Sequence, residues 1–193
     1  MKRMLIAAAC LVATSGSAQP EAGGTNLLLN ASFEQAVGGD RGLPVDWATY
    51  TTAKLVAEVT THARRDGQQS LHFTAQGLPR AVQGLTQRIA VVAGEKYTFT
   101  ANAMNDEADP LKGSAYFQIG IEWVNAGGHE ICRNFTAPQG LTLSRVRWET
   151  VALRKVRAPA SAVEAVVGLH FVDGDRAGKG SVFVDDTYFS VAR

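Results

Sequence analysis

Four polar side chains stand on the polar side of apolar runs in this chain: His72, Gln118, Glu122 and His170. Neutral imidazole, amide and carboxylate together give the mixed donors and acceptors that a hydroxyl-bearing ligand needs. Three further carboxylates stand where an apolar pattern gives no reason for one. Glu34 closes the run Asn26-Leu27-Leu28-Leu29-Asn30-Ala31-Ser32-Phe33-Glu34, and Asp185-Asp186 interrupt Val182-Phe183-Val184-Asp185-Asp186-Thr187-Tyr188-Phe189. If the two runs lie side by side as strands, Glu34 converges with Asp185 and Asp186. A hard cation with oxygen ligands is then the natural neutraliser, and calcium is the expected ion. Backbone carbonyls of the first loop and of the Asp66–Ser70 turn are expected to complete its shell. The competing reading has Glu34 capping a turn and the Asp pair exposed. A transition metal on His72 and His170 is an alternative, but no spaced third ligand accompanies them, and a satisfied surface pair is the favoured reading.

Strands must position these groups. Period-2 patterning and β-rich runs recur between turn signals such as Asp66-Gly67, Gly94 and Asn125-Ala126-Gly127-Gly128, which predicts an all-β sandwich or barrel. The predicted strands cover 27–34, 54–62, 69–75, 82–91, 96–104, 114–124, 129–135, 146–156, 163–172 and 181–191. Tyr97, Phe99, Ala101 and Ala103 share one face, as do Phe117, Ile119, Ile121 and Trp123. Leu71 and Phe73 oppose His72, and Val167, Leu169 and Phe171 oppose His170. Two such apolar faces pack into a sandwich core. The polar face left on one sheet, curled by twist, becomes a shallow groove.

The first residues read as a targeting segment. Lys2 and Arg3, the apolar run from Met4 to Val12 and Gly16-Ser17-Ala18 form a signal peptide over 1–18, with cleavage after Ala18. The rival reading is a lipoprotein acylated at Cys10. A loose leader is expected over 19–25 and a single β-sandwich domain over 26–193. The apolar run is too short to span a bilayer, so no membrane span is expected. The chain carries a formal net charge of +1, and loss of Lys2 and Arg3 leaves 17 basic residues against 18 acidic. That balance gives no electrostatic case for nucleic acid or an anionic membrane as partner. Cys132 is then the sole cysteine, which excludes an intramolecular disulfide and reads as a small buried hydrophobe. The expected localisation is secreted or periplasmic.

Several of these pieces, in order, resemble the carbohydrate-binding modules of families 4, 9 and 22. They are Asn-Leu-Leu-x-Asn-x-x-Phe-Glu, Trp47, Asp66-Gly67-x-x-Ser70-Leu71 and Gly94-Glu95-Lys96-Tyr97-Thr98-Phe99, then Trp123-Val124-Asn125, Trp148 and Val184-Asp185-Asp186. The resemblance implies a galactose-binding-like jelly roll of two antiparallel sheets, with a structural calcium joining the terminal strands. It also implies a glycan, a polysaccharide or oligosaccharide, held by aromatic rings and by polar groups on sugar hydroxyls. The expected ligand set is His72, Gln118, Glu122 and His170, with an aromatic from among Trp47, Tyr50, Tyr116 and Trp123. Period-2 placement assigns Trp123 and Trp148 to the core, which leaves Trp47, Tyr50 and Tyr116, and of these Trp47 and Tyr116 are the expected ligand contacts.

No Gly-x-Ser-x-Gly elbow, His-Glu-x-x-His helix or phosphate-cradling Gly loop appears, so no enzyme is expected. Glu122 and Glu130, across a predicted hairpin, are the one carboxylate pair that a polysaccharide hydrolase could use. The alternative to a glycan-binding module is a structural or adhesive cell-envelope protein that uses the same sandwich for a protein partner. Whether aromatic side chains line the polar face separates a glycan groove from a plain solvated sheet.

Overall fold

In the computed structural model, which describes residues 24–52, 57–176 and 178–193, the alternating runs form twelve strands. They are β1 Ala36–Val37, β2 Leu43–Pro44, β3 Ala48–Thr51, β4 Glu58–Thr60, β5 Ser70–Thr74 and β6 Val82–Ala90. The second half of the chain supplies β7 Lys96–Asn105, β8 Tyr116–Asn125, β9 Glu130–Phe135, β10 Glu149–Arg157, β11 Ala162–Val172 and β12 Ser181–Val191. The signal peptide over 1–18, with Cys10, lies outside the described residues, as do the leader as far as residue 23 and positions 54–56 of the predicted strand 54–62. No helix among the described residues is long and apolar enough to cross a membrane.

Two five-stranded antiparallel sheets pack face to face, one in the order β10-β7-β12-β5-β4 and the other β3-β6-β11-β8-β9. The expected all-β jelly-roll sandwich is therefore present. The inner faces read from period-2 spacing meet in the core: Leu71, Phe73, Phe99, Phe117, Ile119, Ile121, Trp123, Val167, Leu169 and Phe171 are all fully buried. Aromatic rings tie the layers, with Phe73 of β5 stacked on Phe171 of β11 at 5.8 Å and Tyr97 of β7 tilted against Trp123 of β8 at 5.9 Å. Burying rings of this size is the main source of cohesion in such a core.

The expected strand over 27–34 does not form. Asn30 and Phe33 adopt positive φ (43° and 59°), a conformation that breaks an extended run. The segment still runs along β12: Leu27 N–H donates to Phe189 O at 2.8 Å and Thr187 N–H to Ala31 O at 2.9 Å. Asn26 joins them, donating to Thr187 O and accepting from Phe189 N–H, both at 2.9 Å. The two bracketing segments are neighbours, as expected, but through isolated bonds instead of a ladder. Cys132 is exposed, not buried, because β9 is the edge strand of its sheet.

Candidate functional site

The outer face of the β3-β6-β11-β8-β9 sheet carries a cleft of about 740 Å³. Cross-strand register sorts its lining into rows. One row runs Tyr50, Gly84, His170 and Gln118 across β3, β6, β11 and β8. The next runs Thr86, Gly168, Gly120 and Phe135 across β6, β11, β8 and β9. Beyond them lie Val82, Val172 and Tyr116 on one side, and Val166, Glu122 and Arg133 on the other. The loops at the Val172 end are tied together. Buried Asp173 accepts from Gln76 N–H at 2.7 Å and Leu78 N–H at 3.1 Å, and Arg80 N–H donates to Gly174 O at 2.8 Å.

The centre of the floor is His170. Tyr50 hydroxyl hydrogen-bonds its Nδ1, and Phe135 meets the imidazole edge-on at a centroid distance of 5.2 Å. Burial, with the Arg133 guanidinium nearby, pushes the His170 pKa down to about 4, so the ring is neutral at physiological pH. Burial and the neighbouring Glu122 carboxylate push the Tyr50 hydroxyl up to about 12, which keeps it protonated. Tyr50 and Phe135 are 40% and 41% exposed, so each offers a ring to solvent on either side of the imidazole. Two half-exposed rings beside a hydrogen-bonding floor suit a ligand with both apolar and hydroxylated faces.

His170 also makes stability depend on pH. Its folded pKa lies below the ordinary 6.5, so its contribution is complete above that value and is lost as pH falls from 6.5 towards 4. The loss is of order 3 kcal/mol by pH 4. Denaturant midpoints of wild type and His170→Gln, followed over that window, are expected to converge as pH falls. Parallel curves would refute the assignment.

Of the residues expected in the site, Tyr116, Gln118, Glu122 and His170 line the cleft together. His72 does not. It lies on β5, in the opposite sheet, stacked on Phe183 at 4.6 Å, with Nε2 3.3 Å from Asp106 Oδ2. Burial lowers its pKa and outweighs Asp106, so the contact joins a neutral ring to a carboxylate. Alternation told the face of each strand, but the outer faces of two packed sheets look in opposite directions. Trp47 is likewise absent from the cleft. It is buried against Phe33 at 5.4 Å and donates through Nε1 to Asn30 O at 3.2 Å. Phe135 and Arg133 escaped the sequence reading, although their spacing of two places them on one face of β9.

Charge in the cleft is balanced. Arg80 pairs with Asp175 at 2.8 Å, and Arg133 lies 3.8 Å from Glu122 and hydrogen-bonds Glu130 through Nε at 2.7 Å. One guanidinium thus serves both carboxylates of the candidate catalytic pair. Its hydrogen bond holds Glu130 below the usual carboxylate range, the opposite of what a general acid requires.

The acidic clasp lies elsewhere, where β12 meets the 65–69 turn. Gly67, at φ 64°, brings the backbone against Glu34, whose carboxylate accepts from Gln68 and Gln69 N–H at 3.0 Å. A Cβ at position 67 would sit 2.3 Å from Glu34 Oε1. Asp185 is fully buried and accepts from Arg65 N–H (2.7 Å), Asp66 N–H (3.1 Å) and Asp186 N–H (2.6 Å). Burial pushes its pKa up to about 6 despite those three donors. Asp186 sits at a break in the β12–β7 register with φ 48° and pairs with the Arg65 guanidinium. The turn thus presents N–H groups, not the expected carbonyls, to Glu34 and Asp185. Both keep lone-pair capacity beyond these bonds, whereas Asp186 is engaged by Arg65, and among the described residues no group of three or more His, Cys, Asp or Glu side chains is placed to hold a metal ion.

Residues 25–141 match the CBM_4_9 family, described as a carbohydrate binding domain. No curated protein matches the chain. Among solved structures it is similar to TmCBM61 in complex with beta-1,4-galactotriose, at 16% identity and TM-score 0.56, over 87% of this chain and 99% of that one. It is similar to the C-terminal family 22 carbohydrate binding module of Clostridium thermocellum Xyn10B, at 18% identity and TM-score 0.53, over 84% and 92%. A third is the CBM22-1 xylan-binding domain from Paenibacillus barcinonensis Xyn10C, at 13% identity and TM-score 0.56, over 88% and 96%. Likeness at such identities establishes the fold.

Proposed function

The chain belongs to the CBM_4_9 carbohydrate binding domain family, and from that premise we propose a secreted or periplasmic, non-catalytic module that holds a neutral glycan in the β3-β6-β11-β8-β9 cleft. The observation that carries the proposal is the pair of half-exposed rings, Tyr50 and Phe135, flanking a neutral His170. Sugar rings stack on such faces, while Gln118, Glu122 and His170 meet their hydroxyls. Neutral ligands are favoured because every charged side chain lining the cleft already has a partner of opposite sign, so a uronate must displace one. The non-catalytic part rests on Glu122 and Glu130 sharing Arg133, and the exported location on the N-terminal targeting pattern.

The test is binding of the purified protein to a panel of neutral and uronate-bearing oligosaccharides, with galactotriose and xylohexaose among the neutral ones. A neutral glycan should bind with little dependence on ionic strength, and His170→Ala and Glu122→Ala should abolish the signal. A folded protein that binds nothing on the panel would refute the reading. Calcium, held by Glu34 and Asp185, is proposed as a structural ion. Its support is the pair of hard carboxylates facing one turn, and its test is a fall in melting temperature on adding chelator.

A further inference from the structure

Three glycines interrupt the middle of strands on the cleft face: Gly84 in β6, Gly120 in β8 and Gly168 in β11. None adopts positive φ, so backbone freedom does not explain them. A mid-strand glycine weakens a sheet, and its usual justification is close approach of another group. Each of the three has such a group lying directly on it. A Cβ at 84 would stand 2.1 Å from the Tyr50 ring, and one at 120 would stand 2.4 Å from the Phe135 ring. A Cβ at 168 would stand 2.5 Å from His170 Nε2, and the one at 120 would also be 3.1 Å from that atom. The three are adjacent in the sheet, since Gly120 pairs with Gly168 and Gly84 with His170. All three are buried although they lie on the outer face, because the rings cover them.

We infer that Gly84, Gly120 and Gly168 are positioning residues, which form slots that seat Tyr50, Phe135 and His170 against the sheet as one glycan platform. The inference rests on the proposed glycan cleft, and it adds the residues that set the height and tilt of the platform. A methyl group at any slot lifts the ring above it. The floor then loses the level at which two rings and an imidazole meet one ligand.

The experiment compares wild type with Gly84→Ala, Gly120→Ala and Gly168→Ala, reading melting temperature, glycan affinity and the NMR spectrum of the free protein. Expected are melting temperatures close to wild type and affinity for the glycan found on the panel reduced about tenfold or more. In the free protein, the Tyr50 and Phe135 ring signals shift in the first two variants, and His170 titrates nearer its ordinary value in Gly168→Ala. In a Tyr50→Ala background Gly84→Ala should cost no further affinity, because the glycine acts only through that ring. Unchanged ring signals and titration in all three variants would overturn the inference. If wild type binds no glycan, the ring signals still decide the slots, and only the functional reading falls. A variant that fails to fold is replaced by the Tyr50→Ala cycle, where an additive loss of affinity also counts against the slots.

Discussion

Phe135→Ala is expected to weaken glycan binding by about ten- to hundredfold, with the melting temperature shifted by only about 2–3 °C. Phe135 is 41% exposed on an edge strand, so its removal takes little from the core. What it removes is one wall of the platform, and a ring stacked on a sugar contributes about 1.5–3 kcal/mol through area and orientation together. Tyr50→Ala should cost at least as much, because it also strips the hydrogen bond from His170 Nδ1. Tyr50→Phe separates the two effects, since it keeps the ring and loses the bond. Titration calorimetry of the three variants gives the answer. Wild-type affinity in Phe135→Ala would remove the ring from the site.

Asp185→Ala is expected to cost stability more than any change in the cleft, about 3–5 kcal/mol and roughly 10–15 °C in melting temperature. The side chain is fully buried and accepts three backbone N–H groups, from Arg65, Asp66 and Asp186. Alanine leaves all three donors without a partner, and a buried unsatisfied donor costs about 1–3 kcal/mol. Asp185→Asn, which keeps the shape and one acceptor oxygen, should fall between. Glycan affinity below the melting transition should not change, because Asp185 lies on β12, in the sheet without the cleft. Chelator separates the contributions. If calcium adds to the clasp, it lowers the wild-type transition and leaves Asp185→Ala where it is. A wild-type transition indifferent to chelator would leave the clasp to the amides alone.

The core was legible in the sequence because alternation at period two fixes which residues share a face. The sets from Tyr97 to Ala103 and from Phe117 to Trp123 are buried as read. The cleft was half legible for the same reason. Gln118, Glu122 and His170 lie on adjacent strands β8 and β11, yet the pattern that found them also selected His72, because alternation says nothing about which sheet a strand joins. Trp47 failed differently. It precedes the short strand β3, where no alternation constrains it, and the left-handed turns at Asn30 and Phe33 fold the first segment over it. Phe135 and the slot glycines carried a usable signal in the form of isolated glycines within apolar strands, but only register shows that they share one face.

The place of β12 in its sheet bears on how the chain can be made. In the order β10-β7-β12-β5-β4 the strand synthesised after all the other described strands is the one in the middle. It pairs with β5 on one side and β7 on the other, which do not touch each other in the ladder. Until β12 emerges, these two remain open edges, and the segment from Asn26 to Ala31 has no Thr187 or Phe189 to dock on. Non-local pairing of this kind delays folding until the distant partner exists. The nascent chain is therefore held back from its native state until β12 has been made, because neither β5 nor β7 has its full set of partners before then.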